Sequence, residues 1–115
     1  MSAPTIDTAT FRQLQENAGA EFVAELVQAF LEEAPKMMGD LRGAMAAGDA
    51  ETFRRAAHSL KSNCNTFGAT SLAAISKELE LAGLDRVLAS GADPLAALTQ
   101  EYARVAQALA ELRDA

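Results

Sequence analysis

Ala57-His58-Ser59-Leu60-Lys61-Ser62-Asn63-Cys64-Asn65-Thr66-Phe67-Gly68-Ala69 carries the only histidine of the chain. At roughly 100° of rotation per residue, Phe53, Ala57, Leu60, Cys64 and Phe67 gather on one side as a core-facing stripe. His58, Lys61, Ser62 and Asn65 fall on a different side at helical steps, and Arg54 joins them one turn earlier. The stretch reads as an amphipathic helix with its imidazole turned to solvent. Gly68 ends it, in the usual place for a left-handed residue.

The same periodicity extends in both directions. Upstream, Val23, Val27, Phe30, Ala34, Met37, Leu41 and Met45 follow steps of three and four and predict one long helix. Pro35 lies inside that run, where it removes a backbone donor at a cost of about 3 kcal/mol, so a kink or restart is expected near Ala34. Gly48-Asp49 closes the run, and Asp49 is placed to cap the histidine helix from about Ala50 to Phe67. Asp7 is placed to cap a short first helix carrying Phe11 and Leu14, which breaks at Asn17-Ala18-Gly19.

Downstream, Thr70 or Ser71 is expected to cap a helix whose inner face is Leu72, Ile75, Leu79 and Ala82. The segment from Gly83 to Gly91 reads either as a frayed continuation or as a loop with an extra turn. Asp93-Pro94 marks the start of a last helix. Its repeat of Leu95, Leu98, Tyr102, Val105, Leu109 and Leu112 is too short for a coiled coil, which needs about three or four heptads. Strand-like alternation is nearly absent. The expected fold is all-α: an antiparallel four-helix bundle, packing at about 20°, with a short additional N-terminal helix. Residues 1–115 are expected to form one domain, with 1–6 as a flexible N-terminus.

Composition narrows the function. The chain has 115 residues, half of them hydrophobic, and a net charge of −6. That charge argues against nucleic-acid binding, which calls for a basic footprint. No Gly-rich phosphate loop occurs, so the chain has no evident means of using ATP. No apolar run approaches the roughly 20 residues needed to span a bilayer, and Met1-Ser2-Ala3-Pro4-Thr5 lacks the basic and apolar regions of a secretory signal. The lone Cys64 suits a reducing compartment. A cytoplasmic protein with no membrane or nucleic-acid partner is expected.

One histidine and one cysteine do not make a zinc site, so no metal is expected. A Cys–His nucleophilic pair fails too, because the step of six turns Cys64 toward the core. Glu32, Glu33 and Glu51 read as solvated helix faces, and Met37, Met38 and Met45 as gap-filling core. What remains is an exposed imidazole among cationic and hydrogen-bonding neighbours, an arrangement suited to accepting and releasing a phosphoryl group.

The run from Ala57 to Ala69 resembles the signature of histidine-containing phosphotransfer (HPt) domains: Ala-His-x-Leu-Lys, a small residue, a polar stretch, then Gly-Ala. Phe22 to Leu31, Glu33-Ala34-Pro35, Leu41, Gly48-Asp49, Leu72 and Leu79-Glu80 are also similar to the family's pattern, so the resemblance spans about three-quarters of the chain. It implies that His58 is the phosphoacceptor, at Nε2, and that Lys61 attracts the phosphoryl oxygens. Gly68 matches the glycine that ends the histidine helix, and Leu60 a core position. Ser62 departs from the pattern, which usually has glycine after the lysine.

The resemblance further implies a phosphorelay intermediate without kinase activity or cofactor of its own. Its partners would be response-regulator receiver domains, a hybrid histidine kinase, or both. Arg54, Arg55, Ser62 and Asn65 are the expected partner-facing residues, with the two arginines and Lys61 forming a positive patch around His58. If the next helix returns antiparallel from Gly68, His58 lies opposite the region of Lys77 and Glu78; either could contact the ring, with Glu78 able to accept from Nδ1–H, but the pair reads more readily as solvated charges. A monomer is expected. The alternatives are an adaptor that docks receivers without being phosphorylated and an unrelated helical scaffold dimerising through the last helix.

Overall fold

The computed structural model describes residues 5–90 and 93–114. Among these are six helices and no strand: α1 (Thr8–Ala18), α2 (Ala20–Ala47), α3 (Ala50–Phe67), α4 (Thr70–Ala82), α5 (Leu84–Ala89) and α6 (Ala96–Asp114). Helices α2, α3, α4 and α6 form the bundle. α3 packs on α2 and α4, and α6 closes the ring against α2 and α4. α1 lies across α2 and α3, and α5 caps α3 and α4.

The caps explain most of the boundaries. Asp7 Oδ1 accepts from the backbone N–H of Ala9, and Asp49 Oδ1 from that of Thr52. Each satisfies a donor that a helix start leaves free, worth about 1 kcal/mol. Asp93 Oδ1 accepts from Leu95 N–H at 3.0 Å, and α6 begins just after it, at Ala96. The segment after Gly83 is neither a fraying end nor a loop but the separate helix α5, held by buried Leu84 and Val87. α4 has no side-chain cap. Its N-cap is Ala69, and Thr70 is already helical.

Pro35 does not interrupt α2, which runs unbroken through it for 28 residues. Proline leaves the carbonyl four residues back without its helical donor. That carbonyl belongs to Leu31, and the Tyr102 hydroxyl of α6 donates to it at 3.5 Å. The same tyrosine ring lies 6.2 Å from Phe30, which in turn meets Phe67 of α3 at 5.4 Å. The proline gap is thus covered by the aromatic cluster that joins α2, α3 and α6.

All six helices contribute to one hydrophobic core, including the fully buried Phe11, Phe53, Leu41, Leu60, Leu72, Leu98 and Leu109. Met37, Met38 and Met45 pack against its edge, partly buried. Ile6 is 4% exposed and belongs to the core, so a flexible N-terminus does not extend to it. Residues 1–4 lie outside the described residues.

Gly68 does more than end α3. Its φ of +81° is left-handed, and its carbonyl accepts from Asp7 N–H at 2.8 Å. A Cβ there would stand 2.9 Å from the Asp7 carbonyl oxygen and 3.0 Å from Thr10 Cβ. Glycine therefore lets the start of α1 seat directly on the α3–α4 turn, which fixes the bundle end nearest the C-terminus of the histidine helix.

The inner face of α4 differs from the expected one. Leu72, Ala73, Ser76 and Leu79 are buried, while Ile75 and Ala82 are only partly so. At about 100° per residue this rotates the buried face by roughly 70°. Apolar character misplaced it: Ser76 is fully buried because its hydroxyl donates to the Leu72 carbonyl at 2.9 Å, a local bond that removes the cost of burying it.

Candidate functional site

α3 presents His58 with its side chain 55% exposed, above a buried row of Phe53, Ala57, Leu60 and Cys64. Burial pushes the Cys64 thiol up to about 12, so it stays protonated and takes no part in nucleophilic chemistry. No group of three or more potential metal ligands occurs among the described residues.

The rotation of α4 decides what meets the imidazole. Lys77 and Glu78 are exposed, in keeping with their reading as solvated charges, and neither makes the contact to His58 that the hairpin offered. Glu80 does instead. Its Oε2 lies 2.8 Å from His58 Nδ1, and its Oε1 lies 2.9 Å from Lys61 Nζ. The Glu80 side chain is only 14% exposed and Lys61 24%. The contact to Lys61 is a close ion pair without the angles of a hydrogen bond, which leaves the buried Oε1 with no aligned donor.

This bridge sets the chemistry of the ring. The Lys61 ammonium is the largest influence holding the Glu80 carboxyl below its ordinary value; partial burial opposes it, and His58 adds to it. Glu80 is thus a carboxylate at neutral pH, an acceptor only. A neutral imidazole facing it must place its proton on Nδ1, which leaves the lone pair on Nε2. Nε2 has no hydrogen-bond partner among the described residues. The result is a ring held from behind through Nδ1, with a free lone pair on Nε2 and a side chain that is 55% exposed.

The other predicted residues lie on the expected face, but the patch has a different electrostatic character. Arg54 Nη2 is 2.8 Å from Glu51 Oε1, and Arg55 Nε is 3.8 Å from the same oxygen. With Lys61 held by Glu80, the face around His58 is built of ion pairs and not of bare cations. Glu51 lies one turn before Arg54 on the same helix, where opposite charges meet, and its side chain stays 62% exposed, in keeping with its reading as part of a solvated helix face. Ser62 and Asn65 are exposed, and their side chains make no hydrogen bond among the described residues. Leu60 is fully buried directly beneath the histidine face. Glu80 is the site residue that helical periodicity missed. Its signal was the Leu79-Glu80 pair of the family pattern.

The sequence model described as Hpt domain matches residues 25–115. The structure is similar to that titled crystal structure of histidine-containing phosphotransfer protein B (HptB) from Pseudomonas aeruginosa PAO1, with a TM-score of 0.87 and 30% sequence identity. The match covers 98% of this chain and 97% of that one. No curated protein matches. No helix among the described residues is long and apolar enough to cross a membrane.

Proposed function

This chain belongs to the Hpt domain family and is a histidine phosphotransfer protein of a phosphorelay, and from that membership we propose that His58 is its phosphoacceptor. Nε2 attacks the phosphorus of an aspartyl phosphate on a receiver domain or hybrid kinase. The N–P bond forms, the P–O bond to the aspartate breaks, and the electron pair leaves on the aspartate carboxylate. The Nδ1 proton stays on the ring. The reverse displacement, onto the aspartate of another receiver, discharges the protein.

The observation that carries this reading is the Glu80–His58 contact at 2.8 Å, which directs the lone pair to an exposed nitrogen. As Nε2 bonds to phosphorus the ring gains positive charge, and the Glu80 carboxylate stabilises it. Lys61 performs two tasks: it keeps Glu80 ionised, and its charge draws the phosphoryl oxygens. At about 4 Å such an attraction is on the order of 1 kcal/mol in water and 4 at an intermediate dielectric, enough to support the charged form without trapping it.

Incubation with a phosphorylated receiver domain tests the assignment. Acid-labile label is expected on the wild-type chain and not on His58→Gln. A receiver that binds the wild-type chain without ever labelling it would make the protein a docking adaptor.

A further inference from the structure

Two basic side chains flank His58 on the exposed face of α3, and they are held differently. Lys61 pairs with a buried carboxylate oxygen that has no aligned donor. Moving it would leave that oxygen without compensation, so Lys61 is fixed. Arg54 is 51% exposed, and Glu51, its partner, is 62% exposed. Its second contact, Nε to Glu51 Oε2, is long at 3.4 Å. Water can replace both at little cost, because exposed ion pairs contribute only about 0–1 kcal/mol.

Glu51 also has a second cation in reach. Arg55 Nε stands 3.8 Å from the oxygen that Arg54 holds. The remaining carboxylate at this end, Asp49, is occupied by the backbone N–H and hydroxyl of Thr52. Arg54 is therefore free to leave without stranding a charge. It sits four residues before His58, a separation that brings Cβ atoms to about 5–6 Å on a helix surface. An extended arginine spans that distance to a group carried on the imidazole.

We propose that Arg54 is a phosphoryl-binding residue latched to Glu51 in the resting chain, and that it exchanges to the phosphoryl group once His58 is charged while Arg55 takes over Glu51. The proposal rests on His58 being the acceptor and extends that reading. A phosphoryl group brings roughly two negative charges against the single charge of Glu51. Its oxygens also match the planar guanidinium fork, which binds them in pairs. The resting latch keeps the face nearly neutral, and the cation is delivered only when the product exists. No covalent bond changes in the exchange, and Glu80 keeps both Lys61 and the Nδ1 proton.

The test uses the full chain charged with phosphoramidate, a small donor that removes receiver docking from the comparison. Nε2 bonds to phosphorus, the P–N bond of the donor breaks, and ammonia leaves. On charging, the Arg54 Nε–H resonance is expected to shift, with no shift in identically treated His58→Gln. In a ³¹P titration, the acid constant of the bound phosphoryl group should fall about two- to fivefold in Arg54→Gln, the scale of an exposed ion pair. Arg54→Lys should restore part of the loss, and Glu51→Gln should match or exceed the wild type. An unmoved Arg54 resonance on a charged His58 overturns the proposal. So does a fall in Glu51→Gln equal to that in Arg54→Gln, which would make the pair a structural brace. A wild-type chain that takes no phosphoryl group on His58 defeats the underlying assignment instead, and is distinguished by the missing ³¹P signal.

Discussion

Oε2 of Glu80 lies 2.8 Å from Nδ1 of His58, across the α3–α4 interface, and the other oxygen of the same carboxylate meets Lys61 at 2.9 Å. The orientation of the imidazole proposed as phosphoacceptor is thus set from α4, by a residue that is itself held in place by the cation expected to draw the phosphoryl group. His58 tautomer, Glu80 ionisation and Lys61 position are coupled, and a change in any one is felt by the other two.

Glu80→Ala should therefore populate the Nε2–H tautomer, which has no lone pair where the donor approaches. Ring ¹⁵N shifts of His58 are expected to move from one dominant tautomer in the wild type to a mixture in the variant. Phosphotransfer should slow about fivefold or more, with Glu80→Gln intermediate because an amide oxygen still accepts. Wild-type shifts that already show a mixture would remove Glu80 from the mechanism.

Acid should loosen the protein through the same carboxylates. Glu80, Glu51 and Asp49 are held below their ordinary values of 4.5, 4.5 and 3.8, first by Lys61, by Arg54 and by the Thr52 hydroxyl respectively. Depressed folded-state values mean stability that is present above the unfolded value and lost as pH falls through the folded one. The urea midpoint should be level near neutrality and decline below about pH 4.5. In Glu80→Gln that decline should be shallower, and an unchanged acid limb would show that the Glu80 pair contributes nothing to folding.

Gly68→Ala should cost more than Gly48→Ala. Both glycines have positive φ, +81° and +70°, but a Cβ at Gly48 meets nothing within 4 Å, whereas one at Gly68 meets the Asp7 carbonyl at 2.9 Å. Strain alone is on the order of 1–3 kcal/mol at each position. Chemical denaturation of the two variants separates the excess, which reports the seating of α1. Equal costs would mean that α1 gives way freely.

Tyr102 and Pro35 should be coupled. Tyr102→Phe removes the donor to the Leu31 carbonyl, at a cost toward the low end of about 0.5–1.5 kcal/mol because the bond is long. In a Pro35→Ala background, the alanine N–H supplies that carbonyl, and the cost of Tyr102→Phe should shrink. A double-mutant cycle by denaturation measures the difference. Additive effects would show that the hydroxyl does not compensate for the proline.

The elements with strong periodicity and polar caps were legible in the sequence. Asp7, Asp49, Asp93 and Gly68 occupy the positions their chemistry dictates, and the faces of α2, α3 and α6 follow their apolar residues. On α4, apolar character alone placed Ile75 and Ala82 inward and overlooked Ser76, whose hydroxyl is satisfied within its own helix. Counting back through the hairpin from Gly68 pointed to the region of Lys77 and Glu78, whereas Glu80 meets the ring. At Pro35 the helix does not restart, and Tyr102, 67 residues further along the chain, supplies a donor to the carbonyl the proline leaves free. Contacts between separate helices leave no trace in the apolar periodicity of either one, so the face of α3 was readable from its spacing while Glu80, which completes it, was marked only by the Leu79-Glu80 pair of the family pattern.

The most direct test is to locate the phosphorus on the ring. The chain is charged by a phosphorylated receiver domain, and ³¹P–¹⁵N couplings are read from ¹⁵N-labelled histidine, of which there is only one. A single phosphohistidine with phosphorus on Nε2 and a proton on Nδ1 is the predicted result. Phosphorus on Nδ1, or label that survives in His58→Gln, would contradict the account.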